Sequence, residues 1–441
     1  MDTPIFDFVR GYADISALRL HMPGHKGMPL LGMERMDITE ITGADSLYEA
    51  KGIIKRSEDN ASALFGCPTF YSTEGSSQCI RAMLYLAVLH AGKRPVIAAA
   101  RNVHRSFVTA AALLDLDVRW LYPRKPDSYL SCRLDLTHLD GFLAAEKPTA
   151  LYITSPDYLG YVADIPTIAQ ICHRHGVLLM VDNAHGGYLR FLQPSLHPID
   201  LGADICCDSA HKTLSALTGG AYLHISEQAP AIFHQQAKNA LALFGSTSPS
   251  YLILQSLDIA NVYLSEDYPR QLASFVKEVD ELKDRLLSSG WHLYGSEPLK
   301  LTIRTKPSGY NGQALAADLH RDGIECEFAD PDFLVMMLTP ELGSSGLYRL
   351  ERALKNYPKR PALHQEPPAF RRSEPVMSIR DATLSPCRTL PVEECVGKIL
   401  ASPSVGCPPA VPILVSGERI SDGNLRCFRY YGIDRCTVVE E

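Results

Sequence analysis

Two side chains able to do chemistry together, Asp182 and Lys212, each stand at the end of an apolar run. Val177-Leu178-Leu179-Met180-Val181 reads as a fully buried strand that ends on Asp182 and continues into Asn183-Ala184-His185. Ala203 to Cys207 reads as another, stopping abruptly in Asp208-Ser209-Ala210-His211-Lys212-Thr213. Lys212 therefore falls just past a strand's carboxyl end, where open parallel sheets place their ligands. An aspartate and a lysine at one sheet edge suit pyridoxal phosphate. The amine can hold the cofactor's aldehyde, and the carboxylate keeps the pyridine nitrogen protonated so that the ring accepts electrons. Taken singly, Lys212 reads as a solvated loop lysine and Asp182 as a helix cap, since lone residues of these types are mostly structural. The pairing of the two strand ends is what points to chemistry.

The surrounding elements have to hold that pair. Tyr71-Ser-Thr-Glu-Gly-Ser-Ser-Gln78 precedes a long apolar-periodic helix, Cys79 to His90. Glycine and hydroxyl residues at a helix start offer backbone N–H groups to a phosphate; plain N-capping by Ser76 or Ser77 would use the same residues. Pro95 to Ala100, Asp117 to Tyr122, Ala150 to Thr154 and Ala221 to Ile225 read as strands, and Ile165 to His175 as a helix that Gly176 terminates. Strands alternating with helices of about 10–15 residues predict an α/β fold, a mostly parallel sheet covered by helices. Short or long helices are also expected over Ser57–Phe65, Leu252–Leu264 and Tyr268–Leu287. The order then becomes strand (Leu299–Arg304), helix (Gly312–Arg321), strand (Ile324–Phe328), strand (Phe333–Leu338), helix (Gly346–Tyr357), which fits a smaller α+β region. Residues 358–375 hold five prolines and read as an exposed linker. The expected organisation is an amino-terminal arm (1–45) with few periodic segments, a large domain (46–267), a small domain (268–357), the linker (358–375) and a C-terminal lobe (376–441).

Composition excludes several other classes. The chain has 441 residues, 46% hydrophobic and 21% charged, as in an ordinary soluble enzyme. Lys and Arg number 43 against 50 Asp and Glu, a net charge of −7, with no basic tract, so nucleic acid is not an expected partner. No basic-then-apolar start marks a signal peptide, and no apolar run reaches the roughly 18 residues of a membrane span, so a cytoplasmic protein without a membrane partner is expected. Twelve scattered cysteines, five of them in the tail (Cys387, Cys395, Cys407, Cys427, Cys436), lack zinc-ligand spacing; reduced thiols and no metal are expected.

Asp208-Ser-Ala-His-Lys-Thr-Leu-Ser-Ala-Leu-Thr218 resembles the lysine segment of the bacterial ornithine/lysine/arginine decarboxylases, here in a short form. His21-Met-Pro-Gly-His-Lys-Gly27, Asp37-Ile-Thr-Glu-Ile-Thr-Gly-Ala-Asp45, Ser246-Thr-Ser-Pro-Ser-Tyr251 and Pro408-Pro-Ala-Val-Pro-Ile-Leu-Val-Ser-Gly-Glu-Arg419 also look like that family and stand in its order. The resemblance implies the aspartate-aminotransferase type I fold and pyridoxal 5'-phosphate as cofactor. It implies cofactor contacts from Gly75, Ser76, Ser77, His104, Asp182, His185, Ser209, His211 and Lys212, with Lys212, Asp182 and His185 catalytic and His104 stacked on the ring. It further implies that the arm lies near the subunit interface, and that the Ser246 turn reaches the phosphate of a neighbouring subunit in a homodimer or larger homo-oligomer with shared sites. Glu74 stands where the family usually has Asn, Asn183 where it has an acidic residue, and Tyr188 where it has a second histidine.

The implied reaction is α-decarboxylation of lysine, ornithine or arginine to CO2 and an amine of the kind used in polyamine biosynthesis. Two alternatives stay open: another reaction of the same cofactor, such as an aminotransferase or lyase, and a non-catalytic cofactor-binding protein. No acidic residue is assigned to the substrate's distal charge; Glu40, Asp45 and Glu74 are candidates. Arg380 reads as a partner in a surface or interface salt bridge rather than a carboxylate binder.

Overall fold

In a computed structural model of the chain, the structure describes residues 1–15, 17–123, 128–370, 372–403 and 409–440. Arg371 of the expected linker, Cys407, and Pro408 at the head of the Pro408–Arg419 segment lie outside them. In chain order the first elements are α1 (Pro4–Asp14), α2 (Ile53–Phe65), β1 (Thr69–Ser72), α3 (Gly75–Ala91), β2 (Val96–Ala100), α4 (Arg105–Leu113) and β3 (Asp117–Leu121). Then come α5 (Leu136–Glu146), β4 (Ala150–Thr154), α6 (Ile165–Arg174), β5 (Leu178–Asp182), β6 (Ile205–Asp208), α7 (Ala210–Thr213) and β7 (Ala221–Ile225). They are followed by α8 (Ala231–Ala242), α9 (Tyr251–Ser265), α10 (Tyr268–Ser288), β8 (His292–Tyr294), β9 (Lys300–Arg304), α11 (Gly312–Arg321), β10 (Phe328–Ala329) and β11 (Phe333–Met337). The last are α12 (Gly343–Lys355), α13 (Ile379–Leu384), β12 (Cys387–Pro391), β13 (Leu400–Ser402), α14 (Asp422–Tyr430) and β14 (Arg435–Val439). Contacts divide the chain into one unit of residues 1–93 and 165–270 and a second of 94–164 and 271–441.

In the first unit the strands run in the order β1-β7-β6-β5. β5 and β6 are parallel, with Asp182 opposite Cys207. β6 and β7 are antiparallel, with Cys206 opposite His224 and Asp208 opposite Tyr222, and β7 pairs antiparallel with β1. All four residues of β6 and all five of β7 are buried, the polar Asp208 and His224 included. The amino terminus, expected to be largely aperiodic, instead opens with α1. Its Ile5, Val9 and Ala13 recur every four residues on one buried face, and Pro4 sits at the first turn. No side chain of α1's own start caps it; Asp258 of α9 accepts from the amides of Ile5 and Phe6 at 2.8 and 3.0 Å.

In the second unit β4-β2-β3 are parallel throughout. Parallel pairings therefore outnumber antiparallel ones among β1–β7, as expected from the strand–helix alternation. Two smaller antiparallel sheets, β10-β11-β9-β8 and β12-β14-β13, complete this unit. The expected strand over Ile324–Phe328 is shorter: pairing begins at Phe328 and runs only to Ala329, opposite Val335 and Leu334. At the end of β2, Arg101 is buried and reaches Glu418 at 3.1 Å and the carbonyls of Pro412 and Ile413 at 3.1 and 3.0 Å. Its guanidinium lies between Trp120 and Phe370, 5.3 and 5.6 Å from the two ring centres. Arg380 donates to the carbonyls of Ala112 and Leu113 at the C-terminus of α4, capping that helix end. Among the described residues no helix is long and apolar enough to cross a membrane, and the eleven described cysteines are free.

Candidate active site

β6 ends on Asp208, and the chain turns at once into the single-turn helix α7, closed by the Leu214 amide on the Ala210 carbonyl at 2.8 Å. This turn carries His211 and Lys212. Lys212 Nζ lies 3.1 Å from Nε2 of His185. His185 is buried in the tight turn after β5, where the Gly186 amide donates to the Asn183 carbonyl at 2.8 Å. Both groups are bases of the kind that pass protons, and their contact lets one proton serve the two. Asp182 is buried at the end of β5, and its Oδ1 accepts from the Ala184 amide at 3.2 Å and from the Cys207 thiol at 3.9 Å. Burial pushes the Cys207 thiol far up, so it stays protonated as a donor.

The opposite end of this site is the start of α3. That helix begins at Gly75, four residues earlier than periodicity indicates, so Gly75, Ser76 and Ser77 form its first turn instead of preceding it. Gly75 has φ +70°, a left-handed value natural to glycine, and its amide donates to the Gly219 carbonyl at 2.8 Å. The Gly75 amide is thus already engaged. Ser209 Oγ donates to Ser76 Oγ at 2.8 Å, which brings two hydroxyls together beside the helix start. His211 lies alongside, its Nδ1 donating to the Gly220 carbonyl at 3.0 Å, and burial lowers its pKa below the usual histidine range. Glu74 turns its carboxylate onto the Ser246 amide of the Ser246–Tyr251 segment. The cap of α9 in that segment is Ser250, which accepts from the Ile253 amide. Asp45, a candidate for the distal charge, is occupied by backbone amides, including those of Gly52 at 2.7 Å and Ile54 at 3.2 Å.

His104 belongs to the second unit. It is the N-cap of α4, its Nδ1 accepting from the Ser106 amide at 3.1 Å and lying 2.9 Å from the Ser106 hydroxyl. The first unit brings together Gly75, Ser76, Ser209, His211, Lys212 and His185 by the contacts above, with Asp182 on the strand beside the one that leads to the lysine.

Sequence reasoning missed the groups behind β6. Asp208, fully buried, accepts from Nε2 of His197 and of His224, each at 3.2 Å, on one oxygen, and from the Asn183 side-chain amide at 2.6 Å on the other. Burial alone would raise the Asp208 carboxyl, but the charge and hydrogen bonds of the two imidazoles outweigh it and hold it well below the ordinary range. Burial also lowers His224. Side chains alternate along a strand, so Asp208 faces the side opposite to Cys207 and its neighbour Asp182. Gly187 packs against this cluster; a methyl there would stand 3.2 Å from Leu214 and 3.4 Å from the Asp208 carboxylate. The three ligand atoms lie within 4.8 Å of one another, a spacing that also suits a cation. His197 Nδ1 is buried without a partner. A metal-bound imidazole normally donates its other N–H, so this ring fits better as an Nε2–H donor to the carboxylate. The apolar run Ala203–Cys207 flags β6 but says nothing of His197 and His224, which arrive from a loop and from the next strand.

The donor set fits pyridoxal phosphate: an amine beside an imidazole, a buried carboxylate at the neighbouring strand end, and hydroxyls at a helix start. Among families, the model described as "Orn/Lys/Arg decarboxylase, major domain" matches residues 3–304. The chain is 30% identical to an arginine decarboxylase of Bacillus subtilis, over 96% of this chain and 92% of the relative. Among solved structures, lysine decarboxylase A from Pseudomonas aeruginosa superposes with a TM-score of 0.82 at 16% identity, covering 98% of this chain and 76% of that one. An alanine–glyoxylate aminotransferase from Nostoc sp. gives 0.54 at 18% identity, covering 69% and 86%.

Proposed function

Because the chain belongs to the Orn/Lys/Arg decarboxylase family and has the type I, aminotransferase-like fold, we propose that it is a pyridoxal-phosphate-dependent decarboxylase of lysine, ornithine or arginine, yielding CO2 and the amine. The observation that carries this reading is the contact of Lys212 with His185 at 3.1 Å, in the strand-end setting that also holds Asp182. When bound, the cofactor supplies an electron-accepting ring that takes up the electrons left by the departing carboxylate.

In this reading Lys212 would hold the cofactor through its side-chain amine. Asp182 would pair with the ring nitrogen and favour the ring's protonated, electron-accepting form. Ser76, Ser77, Ser209 and His211 hold the phosphate together with the first-turn amides of α3. Glu74 is tied to the Ser246 amide, which gives its carboxylate a donor of its own. After CO2 leaves, the proton that completes the amine comes from Lys212 or His185. The active form is a homodimer or a multiple of it, the Ser246 turn completing a partner's phosphate site. Incubation of the cofactor-loaded protein with lysine, ornithine and arginine in turn tests the reaction. CO2 and one amine are expected; a keto acid, or no product from any of the three, would refute it.

A further inference from the structure

We propose that Asn183 and Asp208 act as one positioning pair, locking the Asp182–His185 turn to the Lys212 loop, with His197 and His224 fixing which member bears the charge. The proposal rests on the reading of Lys212, Asp182 and His185 as the reacting groups. Asn183 is the first residue beyond β5 and Asp208 the last of β6, so their 2.6 Å hydrogen bond joins the two segments that carry those groups. The Asn183 amide adds a second tie, donating to the Cys207 carbonyl at 3.0 Å. Both side chains are fully buried.

Donor counting dictates the four identities. His197 Nδ1 is buried with no partner, which leaves its proton on Nε2, facing Asp208. His224 Nδ1 meets the Thr69 hydroxyl at 2.9 Å, and a hydroxyl can donate there, so His224 too can present Nε2–H to Asp208. Position 208 therefore meets imidazole donors on one oxygen and the Asn183 amide on the other. A carboxylate accepts from both sides. An amide at 208 would turn its NH2 against either the histidines or Asn183, and a carboxylate at 183 would face the one at 208. The Asn183 oxygen is itself buried without a partner, so the bond to Asp208 decides how this side chain is turned. One rearrangement satisfies every donor again: Asn183→Asp combined with Asp208→Asn, the amide now at 208 giving its oxygen to the histidines and its NH2 to the carboxylate now at 183.

The test uses the full-length protein carrying Asp208→Asn, Asn183→Asp, both together, and Asn183→Ala, which removes the link alone and leaves Asp208 with its histidines. Amide hydrogen exchange over residues 183–188 and 209–214 is followed in the cofactor-free protein, and kcat and KM in the loaded one. Each single change is expected to speed exchange in both segments and to lower kcat about tenfold or more with KM altered less than about threefold; the exchanged pair should recover most of both. Unchanged exchange in folded Asn183→Ala, or a folded double variant no better than its worse single parent, overturns the pair. So does a transition metal that co-purifies with the native protein and is lost in Asp208→Asn. If the native protein decarboxylates nothing, the reaction assignment fails while the exchange measurements still decide the coupling.

Discussion

Lys212 and His185 meet through Nζ and Nε2, 3.1 Å apart, so two groups that are both cations when protonated share a single contact. Like charges this close repel, so the contact works against both groups being protonated at once. Lys212→Ala should abolish covalent cofactor attachment, and a borohydride-reduced peptide map should find the pyridoxyl group on Lys212 and on no other lysine. His185→Gln should keep that attachment and reduce kcat by about 10²–10⁴, the usual range for a lost general acid or base. Label on another lysine would contradict the assignment of Lys212, and full turnover in His185→Gln would leave Lys212 as the proton donor.

Asp182→Asn keeps the shape of the β5 terminus and removes its charge. Turnover should fall by about 10²–10³ while the cofactor still binds, since one oriented electrostatic partner contributes a few kcal/mol of barrier lowering. Absorbance titration with cofactor separates the two effects; near-native kcat would place Asp182 away from the ring nitrogen.

Arg101 and Glu418 form a buried pair in the second unit. Arg101→Met leaves the Glu418 carboxylate buried without its cation and should cost about 3–5 kcal/mol, whereas Arg101→Met with Glu418→Leu should cost much less. Denaturant unfolding of both variants measures the difference, and equal losses would show that the ion pair is not what matters.

Asp330 links stability to pH. Burial pushes its carboxyl up to about 7, against the amides of Asp332 and Phe333 that donate to Oδ1 at 2.7 Å each. A raised carboxyl means that the folded chain binds the proton more tightly than the unfolded one. That stabilisation is present in full below about pH 4, the unfolded value, and is lost as pH rises through about 7. The loss over that window is on the order of a few kcal/mol. In the cofactor-free protein, Asp330→Asn should flatten this part of the stability–pH curve; an unchanged slope would assign it to other groups.

The shared-site proposal predicts complementation. Lys212→Ala and a disruptive Thr247 variant should each be nearly inactive, while mixed dimers regain up to one native site from an unmutated lysine and an unmutated turn. Proven subunit exchange without recovered activity, or a fully active monomer, would refute it.

The parts of the fold that could be read from the chain are those where burial is two-sided or punctuation is sharp. Ala150–Ile153 and Ala221–Ile225 are uninterrupted buried runs, and both strands, the first ending at Thr154, have the expected limits. Gly312–Arg321 is bounded by the Asn311 cap and, like them, has the expected ends. The early start of α3 was hidden because Gly75, Ser76 and Ser77 carry no apolar period, only the chemistry of a helix end. Ile324–Phe328 has strand-forming residues, but only Phe328 finds a pairing partner. The level ends of β5 and β6 were legible from their apolar runs. The Asp208 cluster was not, because His197 and His224 look like isolated histidines until an antiparallel return brings one of them to β6.

That antiparallel return has a kinetic meaning. Because β6 and β7 pair as a hairpin, with Asp208 opposite Tyr222, the Lys212 loop is closed by a short local contact of low loop-closure entropy. The Ser209–Ser76 contact instead spans 133 residues of sequence. Contacts of such different separation form at different stages of folding, the local one first. In the refolding chain the Lys212 loop can therefore close before Ser209 meets Ser76 at the start of α3.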